Sequence, residues 1–323
     1  MNKALTIAIT GGAGFIGTAL TRALITAGHV VRILDIKPSQ AFPAHSRIVD
    51  VRDRAAMIGA LEGVDVIYHL AAEHRDDVTP TSLYYDVNVG GAENVVAAAK
   101  VHGIGQIIFT SSVALYGLGK GASREDDAPD PFNDYGASKW QSEQVFNAWA
   151  EQDAGRSLIT ARLVATFGPG NRGNIYNLMA QIAGGRFMMV GRGTNRKSIA
   201  YVENVVAFLQ HCLSMRGRHV YNYADSPDLT MQEMVTLVRS AMDLPPPRLR
   251  LPYALGLAGG YVFDTAAALT GKKFPVSAVR IRKFCADTMV NAEAARATGF
   301  TAPYTLEQGL RQMMDAEFIK MAA

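Results

Sequence analysis

"TIAITGGAGFIGTALTRAL", residues 6–24, reads as a strand, a glycine-rich turn and a helix, in that order. Gly11, Gly14 and Gly17 satisfy a GxxGxxG spacing, and Gly12, Gly14 and Gly17 satisfy GxGxxG as well. Glycine here permits a tight turn, close approach of backbone to a pyrophosphate, and close helix–strand packing. The helix N-terminus adds amide donors and a partial positive charge, with Phe15 and Ile16 in that first turn. Asp35 ends the next strand-like run, 21 residues after Gly14. A carboxylate there accepts hydrogen bonds from an adenosine ribose and repels a 2′-phosphate, so NAD is expected rather than NADP. Lys37 nearby works against that preference, and a strand-end Asp also caps turns; both points stay open.

Outward from this unit, apolar strand-like runs alternate with helical ones. Strands are expected at Leu5–Thr10, Val30–Asp35, Val64–Leu70, Gln106–Ser111 and Ser157–Leu163, with a short one inside "RIVDVRD" (47–53). Helices are expected at Gly14–Ala27, Arg54–Leu61, Tyr84–His102 and Tyr135–Glu151. Near-continuous apolar strands separated by amphipathic helices predict an α/β, doubly wound parallel sheet of Rossmann type. After about residue 165, Gly/Pro-rich connectors such as "GPGNRGN" (168–174) and "LPPPRLRLP" (244–252) predict a smaller, mixed substrate-binding region. Residues 1–165 with about 198–225 are read as the dinucleotide domain. About 166–197 and 226–323 are read as the substrate region.

The net charge of +3, from 32 basic and 29 acidic residues, is too mild to suggest nucleic acid or an anionic membrane as the main partner. Two distant cysteines, Cys212 and Cys285, have no metal-ligand spacing, and a reducing cytoplasm is the expected setting. In "LPYALGLAGGYVFDTAAALTG" (251–271), Asp264 and the glycines break the run, so no integral membrane span is expected. It reads as a packed helix near a ligand mouth, with interfacial membrane contact as the alternative.

"YGASK" (135–139) puts Tyr135 and Lys139 on one helical face, with Cβ atoms about 6 Å apart. It lies 18 residues after the end of "FTSSVALYG" (109–117). With the glycine loop, these motifs resemble the extended short-chain dehydrogenase/reductase family, and most of all its NAD-dependent nucleotide-sugar epimerase/dehydratase branch. The resemblance includes "HLAA" (69–72), "VNVGGAENVVAAA" (87–99), "FGPGN" (167–171) and "YTLEQGLRQMM" (304–314). It implies Tyr135 as acid/base, Lys139 as its electrostatic partner, and Ser112 as hydrogen-bond donor to the reacting oxygen, with Ser111 a neighbouring candidate. It also implies that Asp50 and Val51 meet the adenine, that Leu70, Ala71 and Ala72 line the cofactor, and that Asn88 supports the site. A free tyrosine with a pKa of about 10 is a poor base, so two nearby cations, Lys139 and an oxidised nicotinamide, must favour the phenolate.

Sugar-nucleotide dehydratases of this fold carry a Thr-Asp-Glu run where this chain has Ser112, Val113 and Ala114. With no carboxylate there to move protons, dehydration is not expected. Ser, Tyr and Lys suffice for reversible oxidation, so the resemblance implies a UDP-hexose or UDP-N-acetylhexosamine 4-epimerase. A 4-ketoreductase or dehydrogenase, a sterol-type hydroxy-dehydrogenase and a non-catalytic NAD-binding regulator are the alternatives. Asn174 and Asn177 are implied on the nucleotide, and Arg196 or Lys197 on the diphosphate. Ala165 replaces the asparagine of the best-known galactose epimerases, which favours a divergent polysaccharide-pathway relative. "EHRDD" (73–77) either faces the cleft or forms a solvated loop. His69 is read as strand-end packing, and Met188 and Met189 as core. Helices 84–102 and 135–151 resemble those that pair into a homodimer in this family.

Overall fold

The computed structural model describes residues 3–319, apart from 76–77, 246–248, 272–273 and 275–276. The central strands are β1 (Thr6–Thr10), β2 (Val30–Asp35), β3 (Ser46–Ile48), β4 (Val66–His69), β5 (Gln106–Ser112), β6 (Ser157–Leu163) and β7 (Arg218–Tyr223). They form one seven-stranded parallel sheet in the order β7-β6-β5-β4-β1-β2-β3. Ile7, Ala8 and Ile9 are fully buried because β1, an interior strand between β4 and β2, is apolar on both faces. Parallel pairing requires crossover helices, and those cover both faces.

The helices are α1 (Phe15–Thr26), α2 (Arg54–Ala60), α3 (Ser82–His102), α4 (Asp134–Glu151), α5 (Asn174–Ala183) and α6 (Val202–Cys212). One core layer joins Leu20 and Leu24 of α1 to Val205 and Leu209 of α6. The other joins Met57 of α2, Val95 of α3, and Phe146 and Trp149 of α4. The strand order reverses between β1 and β4, and a ligand crevice opens at the carboxyl ends of strands at such a switch point. Thr10, Asp35, His69 and Ser112 end their strands there.

Two departures from the sequence expectation have plain causes. Within 47–53 the strand stops at Ile48, because Asp50 accepts the Arg52 backbone N–H at 3.0 Å and Asp53 caps α2 through the Ala56 N–H at 3.0 Å. The seventh strand, "RHVYNY", has no run of apolar residues because β7 is an edge strand, exposed over its first residues.

Further along lie α7 (Met231–Ala241), α8 (Tyr253–Thr270) and α9 (Ala278–Cys285), with two-residue strand pairs between them. The 251–271 segment is a helix beside the cleft, but it is not packed as expected. Its buried residues are Gly256 and Gly260, while its large side chains face outward.

Candidate active site

One cleft of about 1930 Å³ runs from the glycine loop to α8 and α9. A single small ligand typically occupies a site of roughly 300–1,000 Å³, so this cleft has room for two. At its cofactor end, Gly11 adopts φ +69°, and its N–H donates to the Leu34 carbonyl at 2.8 Å. A Cβ at Gly17 would lie 2.5 Å from the Gly11 carbonyl oxygen, so α1 approaches the loop as only glycine permits. Gly11, Gly14, Phe15, Ile16 and Gly17 all line the cleft. Asp35 lines it too, and its carboxylate also accepts from the Ala13 N–H at 3.1 Å and the Lys37 N–H at 3.2 Å. The ribose-binding and turn-capping readings of this residue are thus compatible. Lys37 is not among the lining residues.

Asp50, Val51, Leu70, Ala71 and Ala72 line the same end. Arg52 binds the Asp50 carboxylate at 2.6 Å and, with its hydrogen bonds, holds it below the usual carboxylate range. Asn88 does not line the cleft, so it is no direct cofactor contact. Its amide accepts from the Glu73 N–H at 2.8 Å and donates to the Glu73 carbonyl at 3.0 Å and to Ser138 Oγ at 2.8 Å. It acts from behind, fixing the 70–75 segment to α4. Glu73, His74 and Arg75 do face the cleft, whereas Asp76 and Asp77 lie outside the described residues.

The Asn133 side chain accepts the Gly136 N–H at 2.9 Å and starts α4, so Tyr135 and Lys139 emerge from its first turns. Both line the cleft with Ser111 and Ser112. Burial pushes the Tyr135 phenol above its usual 10, and a hydrogen bond with Ser112 draws it partly back. Burial also drives the Lys139 ammonium down to about 7, while the Glu143 carboxylate pulls it upward. Its Nζ stands 4.2 Å from the centroid of the Phe109 ring. Ser111 Oγ is buried without a hydrogen-bond partner, which suits a polar ligand group in front of it. His69 is packed as expected: it bonds Thr10 Oγ1 at 2.8 Å and burial drives its pKa down to about 3, so it stays neutral.

Val113 and Ala114 line the cleft after Ser112 with no ionisable group, as the argument against dehydration requires. On the substrate side, Asn174 and Asn177 of α5 line the cleft, as does Ala165. Arg196 does not; its guanidinium donates to the Asp228 carbonyl at 2.8 Å, away from the cleft. Of the two cations left open, Lys197 lines it, with Nζ bonded to the Lys283 carbonyl at 2.7 Å and the Ala286 carbonyl at 2.6 Å. Met189 is fully buried, but Met188 is 48% exposed and lines the cleft, so only half of the methionine expectation holds. Sequence reasoning missed the rest of this wall: Phe187, Val190, Leu251, Leu255, Phe263 and Ile281 make an apolar lane.

The free Ser111 hydroxyl and the glycine cradle fit a dinucleotide. Overpacking a tight site costs about 1–3 kcal/mol, so Gly17→Ala is expected to weaken NAD binding by roughly tenfold or more. The NAD released on denaturing wild type and variant measures this; equal occupancy at limiting NAD would contradict it.

Comparison with known proteins agrees with this geometry. The model of the "NAD dependent epimerase/dehydratase family" matches residues 7–224. The chain is 50% identical over 316 residues to the N-acetyl-alpha-D-glucosaminyl-diphospho-ditrans,octacis-undecaprenol 4-epimerase of Escherichia coli O157:H7, covering 97% of this chain and 95% of that one. Among solved structures, the UDP-glucose 4-epimerase of Thermus thermophilus in complex with NAD superposes with a TM-score of 0.76 at 20% identity, over 97% and 98% of the chains. The UDP-N-acetylglucosamine 4-epimerase of Bacillus cereus gives 0.76 at 18% identity, over 97% and 96%. The glycine cradle, the Ser–Tyr–Lys set and these matches agree: the chain belongs to the NAD-dependent epimerase/dehydratase family, as an NAD-using epimerase of the extended short-chain dehydrogenase/reductase type.

Proposed function

We propose that this epimerase inverts C4 of an N-acetylhexosamine joined through a diphosphate to a polyprenol. The observation that carries the reading is the apolar lane of Phe187, Val190, Leu251, Leu255 and Phe263, in one cleft with Ser112 and Tyr135. A polyprenyl chain matches that lane, whereas a uridine would draw on polar groups elsewhere in the cleft such as Asn174 and Arg186. The similarity to the undecaprenol-linked 4-epimerase supports it. A nucleotide sugar is the second reading, favoured by Asn174 and Asn177 in the cleft. Both substrates present the same sugar diphosphate and differ only beyond the second phosphate.

In this mechanism Tyr135 as phenolate accepts the C4 hydroxyl proton while Ser112 donates to the same oxygen. The glycine cradle and Asp35 would hold NAD, which would supply a reversible hydride acceptor for C4. Lys139 stabilises the phenolate, and Tyr135 returns the proton to the ketone oxygen as the bond to hydrogen re-forms. Lys197 is assigned to the diphosphate. Residues 1–165 with 198–225 serve as the cofactor half, and 166–197 with 226–323 as the substrate half. We further assign the protein to the cytoplasm, as a homodimer through α3 and α4 whose mass sedimentation would read.

The test supplies a short-chain polyprenyl-diphosphate N-acetylglucosamine in micelles, or UDP-N-acetylglucosamine, without added cofactor. NMR of the C4 configuration is expected to show inversion, with kcat/KM at least about tenfold higher for the lipid-linked sugar, a difference of roughly 1.4 kcal/mol. Preference for the UDP-sugar would replace the substrate, and a need for stoichiometric reduced cofactor would replace the reaction.

A further inference from the structure

α8 is an apolar helix that buries glycines and exposes its large side chains. Its close contacts are made by glycine: a Cβ at Gly256 would meet Val190 Cγ1 at 2.6 Å, and one at Gly260 would meet the Ala278 backbone nitrogen at 2.7 Å. Its large side chains point to solvent, with Leu255 61%, Val262 68% and Leu269 82% exposed, and Tyr253, Tyr261 and Phe263 also outward. Its one charged residue, Asp264, is half-buried and accepts the Ala278 N–H at 3.1 Å, so the exposed face carries no charge. An ordinary surface helix buries its apolar stripe and exposes its polar one. A helix of 18 residues is about 27 Å long, so this face is larger than the scattered apolar residues of a normal surface.

Beside it, α9 contributes Val279, 56% exposed, and the cations Arg280, Arg282 and Lys283. Arg282 bonds the Tyr261 hydroxyl, which ties the basic edge to the apolar face. Among the described residues no helix is long and apolar enough to cross a membrane. An exposed apolar face with a basic rim and tyrosines at the boundary is the pattern of a helix lying in a bilayer interface.

We propose that α8, flanked by the basic edge of α9, docks the protein on an anionic bilayer. The face continues into the cleft, since Leu255 and Phe263 belong to both. A lipid-linked sugar diphosphate would thereby reach Tyr135 with its chain still partly in the membrane. That consequence rests on the substrate reading above; docking itself does not.

The test is flotation of the full chain with vesicles of phosphatidylcholine and phosphatidylglycerol, or of phosphatidylcholine alone. Wild type is expected to float with the anionic vesicles and to be released by salt. Val262→Glu with Leu269→Glu, at exposed helical positions, is expected to lower the floated fraction at least about tenfold, as buried apolar area and attraction to anionic lipid are both lost. Turnover of a micellar short-chain substrate should stay unchanged. Equal flotation of wild type and variant would overturn the proposal. So would failure of wild type to float, or a halving of particle mass in the variant, which would assign the face to a second copy. Flotation without lipid-sugar turnover would uphold docking and reject the substrate reading alone.

Discussion

Tyr135→Phe is expected to lower epimerisation by roughly 10³-fold while NAD remains bound, because loss of a positioned acid/base typically costs about 10²–10⁴-fold. Folding should be unaffected. The ring is retained, and Ser112 Oγ, deprived of the phenol, still accepts the Ala114 N–H at 3.2 Å. Lys139→Met should act through pH instead. In the cofactor-free cleft burial holds the phenol above 10 and the ammonium near 7, so Tyr135 is no base until positive charge is supplied. Removing Lys139 leaves only the nicotinamide to supply it, and the rising limb of the pH–rate profile should move upward, losing about tenfold in rate at neutral pH for each unit moved. Stability gives an independent reading. The unfolded chain binds more protons than the folded one between pH 7 and about 10.5 at Lys139, so cofactor-free stability should rise with pH across that window. Lys139→Met should flatten the rise. A profile indifferent to Lys139, or full turnover by Tyr135→Phe, would move the acid/base role to another group of the cleft.

The cofactor half was legible because its chemistry is local in sequence. The glycine turn, Asp35 and the Tyr–Lys pair each lie within one strand–turn–helix unit, where spacing fixes geometry. Asn88 was read as a support of the site, but spacing cannot tell whether a side chain faces a cleft or the backbone behind it. The substrate wall was not legible. Phe187, Leu251 and Ile281 come from three separate segments of the irregular region, and only tertiary contact aligns them. α8 shows the limit most clearly. Its apolar run is obvious in "LPYALGLAGGYVFDTAAALTG", but periodicity alone cannot say that Gly256 and Gly260 face inward while Val262 and Leu269 face out.

Glu143→Ala is expected to cost about 3–5 kcal/mol of stability, the usual result of removing one partner from a buried ion pair. Glu143 follows Lys139 by one helical turn, and its side chain is 1% exposed against 5% for Arg162. Arg162 donates from Nε at 3.0 Å and from Nη2 at 2.8 Å, one bond to each carboxylate oxygen. Its Nη1 reaches the Tyr116 hydroxyl at 2.6 Å and the Glu125 carbonyl at 2.9 Å, and Tyr116 donates to Asn222 Oδ1 at 2.8 Å. One guanidinium therefore ties α4, β6, the segment after Ser112 and the edge strand β7 together behind the reacting groups. Alanine leaves that charge buried without its counterion, which urea unfolding would read as a lowered midpoint at unchanged slope. Glu143→Leu with Arg162→Met removes both charges and should recover part of the loss, though Tyr116 and the Glu125 carbonyl then lack their donor. If the single variant loses less than about 1 kcal/mol, the pair behaves like an exposed bridge and the rigidity of the Tyr135–Lys139 turn has another source.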